Sequence, residues 1–190
     1  MSYGVMAYAV DIDKLKALCG SGDNQTRRAV CGRFRADISR SNDWFDLSGD
    51  RGAPNIFTAI EHLIMGNDKT LDGYLYGYGF KYIVEFSGRT LDNGPFYPCP
   101  SSYLSDTVDP AIRATGAGLS MSDLIFGGAP VTFPTPDDFP AIGHWTAAEV
   151  AAADEPLRAA GADAIEEVRT VAGWVTHATG RSQGIVGFYH

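Results

Sequence analysis

The two ends of the chain constrain its fold most. Tyr3 to Val10 places Tyr3, Val5, Ala7 and Ala9 on one face of an extended segment and Gly4, Met6, Tyr8 and Val10 on the other. Gln183 to Tyr189 likewise carries Ile185, Val186, Phe188 and Tyr189. Stretches that are apolar on both faces read as strands covered on both sides rather than as half-solvated edges. Helical patterns fill most of the sequence separating them. Such an arrangement predicts an α+β fold, a small sheet containing both terminal strands and covered by about six helices.

The helical segments have start and stop signals. Asp11 or Asp13 caps a short helix with Leu15 and Leu18, ended by Gly20. From about Asn24, Val30, Phe34 and Ile38 recur at helical spacing in one longer helix, and residues 41–53 read as a surface loop. Pro54 suits the first turn of a helix with a stripe of Ile56, Phe57, Ile60, Leu63 and Ile64, stopped by Gly66-Asn67. Leu71 to Phe86 fits either period, with Tyr74, Tyr76, Tyr78, Phe80 and Tyr82 alternating as in a strand. Helix is the reading taken, with Gly73, Gly77 and Gly79 serving close packing. Residues 87–118 read as irregular.

Beyond them, Ser120 and Asp123 open one or two helical turns closed by Gly127-Gly128, and a proline-laden loop spans 129–143. Thr146-Ala-Ala-Glu149 is a capping box before an Ala-rich helix that Gly161 closes. Ala162 to Thr179 makes another, with Ile165, Val168, Ala172 and Val175 inward and Gly180 at its end. A chain of 190 residues that is 45% hydrophobic fits a single domain over 1–190, with no internal repeat or low-complexity tract.

Charge narrows the function classes. The net charge of −8 is uneven, because residues 1–95 hold 12 acids and 11 bases while residues 96–190 hold 11 acids and 4 bases, or −1 against −7. An acidic second half repels phosphate backbones and anionic lipid, so nucleic acid and membrane partners are not expected and a basic protein partner is. No run of apolar residues is long enough to span a bilayer and no signal peptide opens the chain, which points to the cytoplasm. Cys19, Cys31 and Cys99 are widely spaced without a metal-ligand pattern, so neither a metal nor a cofactor is expected.

Four segments in this order, Ile60-Glu-His-Leu-Ile-Met-Gly66, Leu124-Ile-Phe-Gly-Gly128, Ile142-Gly-His-Trp-Thr-Ala-Ala-Glu-Val150 and Gly184-Ile-Val-Gly-Phe-Tyr189, resemble the YfbM-like family of small bacterial cytoplasmic proteins. The resemblance covers roughly 1–20, 54–66 and 119–190. It implies an α+β fold and no catalytic residue, and it suggests by analogy an immunity-type role, neutralising a toxin.

P-loop, dinucleotide-binding, nucleophile-elbow and zincin signatures are all absent. His62 beside Glu61 does not form a pair on a helix, and His177 suits a helix C-terminus, where the dipole favours a cation. The candidate binding residues are His144, Trp145, Phe126, Asp137 and Asp138. His144 and Trp145 precede the Thr146 cap, where free backbone N–H groups collect, and Trp145 is read more readily as a packing residue. Phe126, Phe133 and Phe139 line the approach as a lid or a meeting surface, while Asp137-Asp138 read as turn residues or a carboxylate pair. Two functions stay open: a protein-binding module using the acidic C-terminal half, which is preferred, and a small enzyme or ligand-binding protein with a pocket near residues 126–145.

Overall fold

The computed structural model describes residues 3–47 and 53–190. Four strands, β1 (Val5–Val10), β2 (Arg89–Thr90), β3 (Ala141–Trp145) and β4 (Gly184–Tyr189), form one antiparallel sheet in the order β2-β1-β4-β3. The two terminal strands pair along their whole length, Val5 opposite Tyr189 and Val10 opposite Gly184, and all six residues of β4 are buried. The fold is α+β, as the apolar ends require.

The chain divides into two compact units, Met1–Ile12 with Ser87–Pro130 and Ala141–His190, and Asp13–Phe86 with Val131–Pro140. The first unit contains the sheet. Its Ala147–Ala159 and Glu166–Thr179 helices pack on each other and against β4 and β1. The Thr176 hydroxyl joins them by donating to Asp154 at 2.7 Å, and Asp154 also pairs with Arg158 at 3.0 Å.

A closer contact sets the Met121–Phe126 helix on the sheet. Gly143 of β3 lies opposite Gly187 of β4. A Cβ at Gly187 would stand 2.6 Å from the Leu124 carbonyl oxygen, and one at Gly143 would overlap the Asp123 and Leu124 backbone. Two facing glycines therefore let a helix backbone touch a sheet backbone. The start of that helix is held from a distance: Asp109, only 5% exposed, accepts from the Met121 N–H at 2.5 Å, the Ser122 N–H at 3.3 Å and the Ser122 hydroxyl at 2.5 Å. Orphan N–H groups of a first turn need such acceptors when buried.

The second unit is helical and repeats the device. Asn42, also buried, accepts from the Ile56 N–H at 3.2 Å at the start of the Ile56–Met65 helix, and Asn55 with Thr58 completes a capping box there. At its other end Gly66 takes a left-handed φ of +78°, and the Gly20 and Gly22 N–H groups donate to the Leu63 and Ile64 carbonyls at 2.8 and 3.0 Å. Leu71 to Phe86 is helical as expected, Gly73–Ser87, and its glycines serve contacts. A Cβ at Gly73 would overlap the Thr135 backbone, one at Gly77 would stand 2.8 Å from Pro140, and one at Gly79 would stand 3.2 Å from the Ala59 side chain.

Several boundaries differ from the sequence reading. The helix from Asn24 is two, Asn24–Arg33 and Arg35–Trp44, broken at Phe34. The second runs into the expected loop at 41–53, of which 48–52 lie outside the described residues. Pro54 precedes the N-cap Asn55 instead of occupying the first turn. Residues 87–118 are not irregular: β2, a short 3-10 turn at Gly94–Phe96, and a helical run from Ser101 through a π segment, Leu104–Val108, to Ala114 occupy them. The loop at 129–143 ends early in β3, because Ile142 and Gly143 pair with Phe188 and Gly187. The last helix starts at Glu166 rather than Ala162, with Val168, Val171, Trp174, Val175 and Ala178 buried and Ile165 exposed.

Gly143→Ala and Gly187→Ala are each expected to destabilise the protein by about 3 kcal/mol, the upper end for overpacking a close contact. Gly32→Ala, at a helical position where an added Cβ meets nothing within 4 Å, is expected to stabilise by about 0.5–1 kcal/mol. Urea midpoints of the three variants against the parent check both signs.

Candidate functional site

Of the candidate residues, Phe126, His144 and Trp145 belong to the first unit, and Asp137 and Asp138 to the second. Trp145 is 2% exposed, and its indole N–H donates to the Ser120 carbonyl at 3.1 Å. It is a packing residue at the end of β3. His144 lies within β3, not in a free cap junction, and its Nδ1 meets the Gly128 carbonyl at 2.9 Å, so this nitrogen carries the proton. The N-cap donors that made the junction attractive are already engaged. Thr146 and Glu149 form the capping box, Glu149 accepting from both the Thr146 N–H and its hydroxyl at 2.7 Å. Those two bonds, with a smaller contribution from the His144 charge, hold the Glu149 carboxyl below its ordinary value.

Asp137 and Asp138 are exposed. Burial, followed by the charge of Asp138, pushes the Tyr78 hydroxyl up to about 12. The tyrosines of the Gly73–Ser87 helix pack within the second unit. Tyr76 is fully buried with its hydroxyl 3.0 Å from His62 Nδ1, Tyr82 bonds Ser41 at 3.0 Å, and Tyr74 and Tyr78 contact Phe45. Phe133 of the proline-rich loop packs back on Tyr76 and Phe80, with ring centroids 6.2 and 5.4 Å away. The thiols are free, and burial raises all three, Cys19 to about 11. They stay protonated near neutrality. Among the described residues no cluster of three His, Cys, Asp or Glu side chains is arranged to hold a metal ion, and no helix is long and apolar enough to cross a membrane.

Phe126 remains, and it is not alone. It is 57% exposed, and its ring lies 6.1 Å from that of Tyr189 at the end of β4, with the Tyr3 ring 6.2 Å from that of Tyr189. The segment following Tyr97 is stitched to the same strand ends: the Cys99 N–H donates to the Tyr3 carbonyl at 2.8 Å, and the Tyr189 hydroxyl donates to the Cys99 carbonyl at 3.0 Å. Tyr97, half exposed, covers Gly4, where a Cβ would collide with its ring. Tyr103 donates to Glu167 at 3.0 Å, joining the aromatics to the acidic first turn Glu166-Glu167. Tyr3, Tyr97, Tyr103 and Phe126 thus account for four of the six large apolar side chains exposed among the described residues. Sequence reasoning singled out only Phe126, because the others come from separate segments.

A second feature went unnoticed in the sequence. A groove of about 290 Å³ runs along β2 and the Glu166–Thr179 helix, lined by Arg89, Thr90, Leu91, Asp92, Thr170, Gly173, Trp174 and His177. Its wall is fixed by the Trp174 indole N–H, which donates to the Asp92 carbonyl at 2.6 Å. Burial, then the charges of Arg181 and Arg89, hold the His177 ring below its ordinary 6.5.

A model of one family matches the chain over residues 1–190, that of the domain of unknown function DUF7691, and the chain belongs to that family. No curated protein and no solved structure matches it.

Trp145→Ala is expected to cost about 3–5 kcal/mol as a buried Trp truncation. His144→Ala, which removes one exposed bond, should leave the melting temperature nearly unchanged, and thermal denaturation of both variants decides the point. For His177 the sign is fixed by its depressed value. As pH falls below 6.5 the unfolded chain takes up a proton that the folded chain refuses, so stability declines down to the folded value. An NMR titration should place the His177 midpoint below 6.5, and His177→Gln should flatten this part of the stability profile.

Proposed function

We propose that this member of the DUF7691 family is a protein-binding module that docks a basic partner on the aromatic surface around Tyr189. The observation that carries the reading is the gathering of Tyr3, Tyr97, Tyr103 and Phe126 at one end of the sheet, with Glu167 bonded to Tyr103. Exposed apolar side chains scattered singly are ordinary, whereas aromatics brought from four segments to the ends of β1 and β4 and edged by charge have the composition of an interface core and rim. Tyrosine suits it, combining a large rigid ring with a polar tip. The acids at the start of the Glu166–Thr179 helix supply the rim, and a partner of opposite charge gains orientation and speed of encounter from them.

The excess of acids in residues 96–190 supports the same choice of partner. The resemblance to the YfbM-like family extends the proposal to a bacterial, cytoplasmic setting and to an immunity-type role in which the docked partner is a toxin. A catalytic pocket at 126–145 is not favoured. His144 is held by the Gly128 carbonyl and Trp145 is consumed by packing.

Pull-down from the native host followed by mass spectrometry identifies the partner, and Tyr97→Ser with Phe126→Ser tests the surface. These exposed side chains contribute little to stability, so the double variant is expected to melt with the parent yet lose the partner. The parent's association rate should fall as salt rises, since exposed charges are screened over about 8 Å at physiological ionic strength. A partner retained undiminished by the double variant would remove the aromatic surface from the function.

A further inference from the structure

We infer that His62, Tyr76 and Leu71 form a pH-sensitive latch on the connection between the Ile56–Met65 and Gly73–Ser87 helices, closed while the His62 ring is neutral and released when the ring takes up a proton. The latch lies within the second unit and does not rest on the docking proposal.

Tyr76 is its centre. The residue is fully buried, and its hydroxyl lies 3.0 Å from His62 Nδ1 and accepts from the Leu71 N–H at 3.3 Å. A phenol has one proton to donate, and a buried hydroxyl needs an acceptor for it. Among the described residues that acceptor is His62 Nδ1, so the proton of the neutral ring sits on Nε2. The donors therefore run in one direction, from the Leu71 N–H to the Tyr76 O–H to the His62 nitrogen.

Protonation reverses the far end of that chain. An imidazolium carries an N–H on both nitrogens, so Nδ1 can no longer accept. Its new N–H and that of Leu71 then compete for one phenol oxygen, and a charged donor is about twice as strong as a neutral one. The longer Leu71 bond is the one displaced, and the hydroxyl proton, stripped of its acceptor, draws in water where Leu71 withdraws. Residues 66–70 are all exposed and Leu71 is half-buried, so the released segment already lies at the surface. Its other end is held separately, because the Gly66 and Asn67 N–H groups both donate to the His62 backbone carbonyl at 3.1 Å.

No charged neighbour takes the place of the phenol. Glu61 is paired with Arg27 at 3.2 Å, and among the described residues Asp68, Lys69 and Asp72 of the connection make no hydrogen bond or ion pair with the His62 ring. Asp137 and Asp138, on the loop whose Phe133 packs on Tyr76, are exposed. The Cys19 and Cys31 thiols of the preceding segments are raised by burial and stay neutral. The His62 ring is thus the group whose charge changes in this neighbourhood near neutrality.

The test is NMR of the full chain between about pH 8 and pH 5, a range that brackets an ordinary imidazole. At the upper end the His62 ring nitrogens should show the Nε2–H tautomer. As that ring titrates, the Leu71 amide should shift in step with it, and its exchange protection, corrected for the intrinsic effect of pH, should fall by about tenfold, the worth of one hydrogen bond. Two variants separate the latch from general loosening: Tyr76→Phe keeps the ring and removes the hydroxyl, and His62→Gln keeps an acceptor that cannot titrate. In both, the Leu71 amide should be indifferent to pH over this range. An Nδ1–H tautomer at the upper end, a Leu71 amide that keeps its protection while His62 titrates, or a pH response that persists in His62→Gln would overturn the inference.

Discussion

The Met121–Phe126 helix rests with its own backbone on β3 and β4, because Gly143 and Gly187 face each other across the two strands and leave no side chain in the way. Much of the first unit follows from that approach. It brings the Ser120 carbonyl within reach of the Trp145 indole, and it lets the Gly128 N–H close on the Ile142 carbonyl at 2.9 Å. It also carries Phe126 over Tyr189, so the exposed aromatic is a product of the same contact that orders the core. Asp109 secures the arrangement from a preceding helix by accepting the N–H groups that the short helix cannot satisfy itself. Asn42 does the equivalent for the Ile56–Met65 helix in the second unit. In both units a buried polar side chain fixes where the next helix begins.

Charge is deployed with the same economy. Glu149 is spent on a capping box, Asp154 on Arg158 and Thr176, and Glu167 on Tyr103. The acidity of residues 96–190 is thus less a uniform field than a few committed carboxylates with Glu155, Asp163 and Glu166 exposed around them.

The legible parts of the fold were those decided by local chemistry. Apolar residues on both faces identified β1 and β4, the Thr146 and Glu149 spacing gave the cap, and Gly66 and Gly180 marked helix ends. Gly73, Gly77 and Gly79 obscured the period of their helix, since their role lies in contacts with Thr135, Pro140 and Ala59 that no local pattern reveals. The region 87–118 was opaque for a similar reason: Asp109 and Pro110 resemble turn residues, yet Asp109 is an acceptor for Met121 and Ser122. The aromatic surface was visible only through Phe126, because Tyr3, Tyr97 and Tyr103 meet it through pairing of strand ends and the bonds of Cys99. His177 looked like a dipole partner until Arg89 was placed beside it by the sheet.

The pairing of β1 with β4 has a consequence for how the polypeptide matures. β1 ends at Val10, and the strand that covers one of its edges begins only at Gly184. The second unit, too, is assembled from stretches separated by residues 87–130. During synthesis a strongly apolar ribbon thus leaves the ribosome long before its neighbour exists. Contacts so remote in sequence form slowly, and an uncovered strand is open to pairing with other chains. Yield in a cell should consequently respond to chaperone capacity and translation speed more than the stability of the finished protein would suggest.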